Sequence, residues 1–289
     1  MLEVLILGRG FVGRYLEELL DAQGISFKST TTDGRDGTIK WRLPETTSFS
    51  PDKGNFSALP LAKSVVITFP LQGEAPAIYL LHGYLDHHAS TDSSAPPQWV
   101  YLGSTRPFKE VPSTRYTKPD VSAGGPRVEA EELIIKSFNG HVLNLVGLWG
   151  GERVPEKWSR FYTEKEKLRN RLKDRSLHLV HGADTARAIL AVISKPDPSG
   201  GRWLVSDKRT YDMLEILIGD PRIRGFLEEL LQEEDVRKLV GADEIDDIKM
   251  GESQVTLRID SSHFWKQYEI EPEYLYKIGA PDPYNKESL

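Results

Sequence analysis

Gly8, Gly10 and Gly13, within the stretch LILGRGFVGRYL (residues 5–16), have the spacing needed to hold the pyrophosphate of a dinucleotide. Gly8 permits a tight turn, Gly10 removes the Cβ that would hold the backbone away from two phosphates, and Gly13 lets a helix pack closely on a strand. The helix that begins there turns its positive end toward the negative charge. Arg9, Phe11 and Val12 fill the same loop and are candidates for cofactor contact. A glycine triplet alone is weak evidence, but one that follows an apolar run and leads into a helical pattern is specific.

The end of the next strand selects the dinucleotide. An NAD site places a carboxylate there to accept hydrogen bonds from the ribose hydroxyls. In KSTTTDGRDG (28–37), Thr30, Thr31 and Thr32 stand where that carboxylate is expected, with Arg35 just beyond. Hydroxyls can bond a ribose 2′-phosphate and a guanidinium can pair with it bidentately. Thr31, Thr32, Arg35 and Arg9 therefore point to NADP. NAD stays open through Asp33, which serves as the ribose acceptor if the strand runs longer.

Alternating elements must position these residues. Residues 3–7 (EVLIL) form a short apolar run suited to a buried parallel strand. Val12, Leu16, Leu19 and Leu20 recur at helical spacing, Gly24 ends that helix, and residues 25–30 give a second strand. Further strands are expected at 64–69, 99–102 and 141–146, with helices at 75–89 and 127–138. Phe69 and Pro70, at the end of the third strand, are placed against the cofactor. This order predicts an α/β fold: a Rossmann-type doubly wound parallel sheet with a small C-terminal α/β lobe. The dinucleotide-binding domain is set at residues 1–207 and the substrate-covering lobe at 208–289, with 150–178 contributing to the lobe. In the lobe, Ile223, Phe226, Leu227, Leu230 and Leu231 line one face of a helix over 222–239, and QVTLRI (254–259) looks like a strand.

Several motifs in order resemble the extended short-chain dehydrogenase/reductase superfamily, the NAD-dependent epimerases and dehydratases. VYLGST (100–105) is similar to the strand that ends in the family's catalytic Ser/Thr, and RVEAEELI (127–134) to the helix after its active-site tyrosine. LNLVGLWGGER (143–153), LVHGADTARAIL (179–190) and WLVSD (203–207) match later segments, so the resemblance runs from residue 1 to about 207. It implies an oxidoreductase or epimerase acting on a small carbonyl or hydroxyl compound. Thr105, with Ser104 beside it, would orient substrate, while Gly147 and Leu148 pass the nicotinamide and Trp149 and His181 border the substrate.

The departure from the family is the Tyr-x-x-x-Lys pair, whose lysine lowers the tyrosine pKa so that the phenol can transfer a proton. Its lysine position falls on Arg127 and its tyrosine position on Ala123, and none of the eleven tyrosines has a lysine four residues later. Arg127 can hold a ribose but cannot share protons as lysine does. Gly124 and Gly125 leave space where the phenol would sit. Tyr116, with Lys118, in the long loop 106–126, is the replacement acid this sequence offers. The alternative function is a dinucleotide-binding regulator or assembly protein that senses redox state without turnover.

The bulk properties exclude other classes. The 289 residues are 39% hydrophobic with mean hydropathy −0.41, net charge −6 and pI near 5.7. No basic face suits nucleic acid. The absence of cysteine removes disulfides, thiolate metal sites and cysteine nucleophiles. No metal site is expected from the histidines at 82, 87 and 88, which fit a polar helix face. No run approaches the ~18 apolar residues of a membrane helix. A cytoplasmic protein with a small-molecule substrate is expected, and the resemblance implies a homodimer.

Overall fold

A continuous run of apolar side chains can be buried on both faces only inside a sheet covered by helices on both sides. The chain builds that arrangement. The computed structural model of the chain describes residues 1–44, 56–89, 95–195, 197 and 200–284. It opens with β1 (Leu2–Leu7), in which Val4 to Leu7 are fully buried, and turns through the glycine loop into α1 (Phe11–Ala22). Then come β2 (Phe27–Thr31), β3 (Ile39–Lys40), β4 (Ala62–Ile67), α2 (Glu74–His88), β5 (Gln98–Ser104), α3 (Val121–Gly124), α4 (Pro126–Phe138) and β6 (His141–Leu145). The second half holds β7 (Gly147–Trp149), α5 (Lys165–Leu172), β8 (Ser176–Leu177), β9 (Leu179–His181), α6 (Gly182–Ser194) and β10 (Gly201–Val205). It continues through β11 (Tyr211–Asp212), α7 (Met213–Leu217), α8 (Pro221–Leu230), α9 (Glu234–Val240) and α10 (Ser262–Tyr268).

Seven parallel strands lie in the order β10-β6-β5-β4-β1-β2-β3. The expected Rossmann-type doubly wound sheet is therefore present. The winding direction reverses between β1 and β4, and a ligand crevice belongs outside the carboxyl ends of those strands. α1 turns Val12, Leu16 and Leu20 inward at four-residue spacing, and Gly24 at φ +66° follows its last turn.

Three apolar cores result. One face of the sheet packs on α1, α6 and α10, and the other on α2 and α4. A third core gathers Trp149, Leu168, Leu172 and Leu179 with apolar residues of 213–248 and Tyr276. α10 stays with the sheet, where Phe264 and Tyr268 pack on Trp203 of β10 with ring centroids 5.9 and 5.4 Å away.

Two expected elements differ. The helix over 222–239 is two helices, α8 and α9, which break at 231–233 although both bury apolar residues in the same core. QVTLRI is not a strand. Gln254 ends a short 3-10 turn, Leu257 is exposed, and only Ile259 is buried, where a single bridge joins it to Ser113, so the alternating residue types do not report alternating burial. No helix among the described residues is long and apolar enough to cross a membrane.

Candidate active site and cofactor cleft

A cleft of about 690 Å³ opens at the strand ends where the sheet order reverses, within the size range of small-molecule sites. It brings together Gly8, Arg9, Gly10, Thr31, Thr32, Arg35, Phe69 and Pro70 as expected. Two glycines of the loop are required by the protein's own packing. Gly8 stands at φ +96°, and a Cβ there would lie 2.6 Å from the Thr68 hydroxyl. At Gly13 a Cβ would lie 2.9 Å from the Gly8 carbonyl oxygen. Gly10 has no such reason. A Cβ there meets no protein atom within 4 Å, and the position lines the cleft. That open space fits a pyrophosphate brought close to the backbone.

β2 holds the loop in place. Gly8 N donates to Thr30 Oγ1 at 2.9 Å and Arg9 N to the Thr30 carbonyl at 2.8 Å. Thr31 is buried. Its hydroxyl accepts from Gly34 N at 2.9 Å and pairs with Thr38 Oγ1 at 2.7 Å, so it shapes the turn. Thr32 and Arg35 remain exposed on the cleft wall, whereas Asp33 is not among the residues that line it. Asp33 and Arg35 pair with each other at 3.2 Å. Arg9 is held by Glu17 and Asp36, both at 2.5 Å. Sequence reasoning missed Trp41 and Gln72 on the same wall. Trp41 directly follows β3, lies 6.4 Å from Phe69 between ring centroids and gives an aromatic face suited to a base; a tryptophan shortly after the KSTTTDGRDG turn was the available signal.

At the end of β5, Ser104 and Thr105 are half-buried. Thr105 Oγ1 donates to the Leu145 carbonyl at 3.3 Å, and Ser104 Oγ accepts from Arg106 N at 3.2 Å. Among the described residues no acceptor takes the Ser104 hydroxyl proton. Beneath this corner lies a buried network that the sequence did not suggest. Asn144 Nδ2 donates to the Ser104 carbonyl and to the Glu131 carboxylate, each at 3.0 Å. Arg202 bonds Glu131, and it donates to Asn144 Oδ1 at 2.9 Å and to Glu132 at 3.0 Å. A lone asparagine in the apolar run HVLNLV was the available sign.

Other expected roles change. Tyr116 is 74% exposed, 5.2 Å from the His263 ring, beside Arg115, which lies over Trp203 and close to Gly201 at the opposite end of β10. It is not placed to give a proton at the β5 end, because the bridge from Ser113 to Ile259 draws the loop along the outer edge of the sheet. Lys118, in the same loop, is exposed. The space at Gly124 is filled, since a Cβ there would come within 2.5 Å of Pro107 and 2.3 Å of Val128. Arg127 turns inward to donate to the Leu102 carbonyl at 2.5 Å, 3.9 Å from the fully buried Glu131, so its charge faces the sheet and not a ribose.

Gly147 and Leu148 pair with β9 and do not line the cleft, nor do Phe11 and Val12. Trp149 and His181 are buried against each other, 4.6 Å between centroids, which removes them as walls of an open pocket. Tyr15, Tyr274 and Tyr284 also pack around His181. Its Nδ1 accepts from Ala183 N at 3.1 Å, which leaves Nε2 to donate to Asp282, 3.2 Å away. Burial pushes the His181 pKa below its ordinary value. Asp282 also accepts from Gly151 N at 2.6 Å, so the tail fastens the Gly150–Gly151 turn.

No protein-family model matches this sequence, and no curated protein is significantly similar to it. Solved structures share its fold. A functionally unknown protein from Silicibacter pomeroyi is 18% identical, with 95% of this chain and 94% of that chain covered and a TM-score of 0.60. The dTDP-glucose 4,6-dehydratase from Bacillus anthracis, in complex with NAD, is 12% identical over 96% and 94% with a TM-score of 0.62. Yeast methylglyoxal/isovaleraldehyde reductase, complexed with NADPH, is 15% identical over 94% of each chain with a TM-score of 0.56. The fold is that of the short-chain dehydrogenase/reductase and NAD-dependent epimerase/dehydratase proteins.

Proposed function

We propose, from a fold shared with dinucleotide-bound reductases and dehydratases, that this chain binds NADP(H) and is an atypical oxidoreductase or epimerase of small carbonyl or hydroxyl compounds. The observation that carries the reading is Gly10, whose missing side chain leaves a space in the cleft that no protein atom needs. Thr32 and Arg35 on the cleft wall favour a 2′-phosphate over a bare ribose. The nicotinamide, when bound, exchanges a hydride with the substrate. Ser104 has a hydroxyl proton free to donate to a substrate oxygen, and Thr105 is anchored beside it through Leu145. With Tyr116 at the far end of β10, the proton comes from water.

The test of the cofactor is a titration with NADPH and NADH followed by nicotinamide fluorescence. NADPH is expected to bind at least about tenfold more tightly, as one charge-assisted phosphate contact supplies. Arg35→Ala should bring the two affinities together. Tighter binding of NADH by the wild type would move the ribose contact to Asp33. For turnover, Ser104→Ala should lower kcat by about 100-fold, the scale of one lost polarising donor, with dinucleotide affinity unchanged, and Thr105→Ala should cost less because its hydroxyl proton is already given to the Leu145 carbonyl.

A second reading, a dinucleotide-binding regulator without turnover, is favoured by Pro107, which fills the space beside Gly124 where an acid would be needed. It predicts different affinities for the oxidised and reduced cofactor, and no hydride transfer to any carbonyl compound.

A further inference from the structure

The chain after α10 is held in two ways. Residues 271–276 are anchored: the fully buried Asp184 carboxylate accepts from Glu273 N at 3.0 Å and Tyr274 N at 2.9 Å, and Tyr276 belongs to the third core. Residues 277–281 are exposed and carry no helix or strand. This last stretch is fastened by polar contacts. Gly279 N donates to Glu156 at 3.0 Å, Asp282 meets His181 and Gly151, and the Tyr284 hydroxyl donates to Glu18 at 2.8 Å. A segment with so little buried surface opens at low cost while its anchor stays.

Asp282 occupies a built anion site. His181 is fully buried and Nε2 donates to the carboxylate at 3.2 Å, while Gly151 N donates at 2.6 Å from a turn whose two glycines stand at φ +117° and +51°. A Cβ at Gly150 would lie 2.3 Å from His181 Nε2, so the turn and the ring are fitted to each other. Burial works to raise the Asp282 pKa, yet hydrogen bonds from the Gly151 and Tyr284 N–H groups and the His181 ring bring it below its ordinary value. Trp149 packs on the same ring, and its buried indole N–H has no acceptor among the described residues. The corner thus offers a donor that the chain's own carboxylate does not use.

A groove of about 480 Å³ between α1 and α6, within the size range of small-molecule sites, adjoins this corner. Tyr15, Tyr274 and Tyr284 line the groove and also pack on His181, with ring centroids 5.3, 4.7 and 5.7 Å away. Leu19, Leu190 and Ile270 add apolar surface. The charged residues of its lining, Arg187 and Glu273, pair with each other at 2.7 Å.

We propose that groove and corner together bind a small carboxylic acid with an apolar or aromatic body, for which Asp282 is the internal stand-in. The ligand carboxylate displaces Asp282 from Gly151 N and His181 Nε2, and its body enters the groove. Residues 277–284 lift off from the Tyr276 anchor, and Tyr15 and Tyr274 stay behind as walls. A tethered carboxylate competes at an effective concentration on the order of millimolar, so the strap sets a threshold that the ligand must exceed. None of these residues lines the glycine-loop cleft, so the site stands apart from the dinucleotide reading.

Phenylacetate is the probe, with uncharged phenylacetamide as its control. Calorimetric titration without nucleotide would compare the wild type with Asp282→Ala and with the double change Asp282→Ala and Ala191→Trp, which narrows the groove; thermal melts would check that all three fold. Asp282→Ala is expected to bind phenylacetate at least about tenfold more tightly than the wild type, as removal of a tethered competitor requires. The double variant should lose that gain, and phenylacetamide should bind none of the three. If Asp282→Ala does not fold, Asp282→Asn keeps the shape, removes the charge and should act in the same direction. Tryptic cleavage after the exposed Lys277 reads the strap itself, and saturating phenylacetate should accelerate it in the wild type. The site is overturned by equal phenylacetate affinity with and without Asp282, by a gain that survives Ala191→Trp, or by equal binding of the amide. Cleavage at an unchanged rate overturns the displacement. Binding of phenylacetate in this pattern by a chain that fails to bind NADPH upholds the site and overturns the cofactor reading.

Discussion

Arg202→Met should destabilise the protein by about 3–5 kcal/mol, the usual consequence of removing one partner from a buried ion pair. Glu131 is fully buried, and without Arg202 its carboxylate keeps only the Asn144 amide, with Arg127 3.9 Å away. Charge and not volume should dominate, because methionine replaces most of the aliphatic stem. The double change Glu131→Gln with Arg202→Met should recover a large part of the loss, since it leaves no bare charge inside. Urea unfolding of the wild type and the two variants measures both effects, and a loss below about 1 kcal/mol for Arg202→Met would mean that water reaches Glu131. The same network bonds the Ser104 carbonyl through Asn144, so the variant should also loosen the β5 corner that carries the Ser104 and Thr105 hydroxyls.

Gly10→Val should abolish high-affinity dinucleotide binding, by about 100-fold or more, and leave the melting temperature nearly unchanged. The separation of the two effects is the informative part. A Cβ at Gly10 touches nothing in the protein, so folding has little reason to suffer, but the branched side chain fills the space that the pyrophosphate would take. Gly13→Val should behave in the opposite way and unfold the chain, because its Cβ would press on the Gly8 carbonyl at 2.9 Å. Fluorescence titration and thermal melting, run together, distinguish these outcomes. Unchanged NADPH affinity in Gly10→Val would place the dinucleotide elsewhere.

The elements legible in the sequence are those whose burial is symmetric. EVLIL, SVVITF and HVLNLV are apolar on both faces of the sheet, and that pattern belongs to buried parallel strands. Elements buried on one side were harder to read. The apolar stripe of 222–239 continues through the break between α8 and α9, since both helices face one core and no glycine or proline marks the join. The wall of the candidate cleft was legible because its residues lie within one βαβ unit: Gly8, Gly10, Thr32 and Arg35 are brought together by local winding. The surroundings of Tyr116 and His181 were not. Where Tyr116 lies depends on Ser113 meeting Ile259, 146 residues later in the chain, and the closure of His181 depends on Asp282. No periodicity records such long-range meetings.

The placement of α10 orders events during synthesis. When residues 1–205 have left the ribosome, every strand of the seven-stranded sheet has been made, yet Trp203 of β10 has the Arg115 guanidinium over its ring and still lacks the aromatic cover of α10. That cover arrives with Phe264 and Tyr268, after most of the third core has been translated. The nascent sheet must therefore wait, with its edge strand incompletely covered, for a helix encoded some sixty residues downstream. Completion of the seven-stranded layer is thus a late event in the life of the chain, and a stop codon placed anywhere before α10 would release a sheet with an apolar edge open to aggregation.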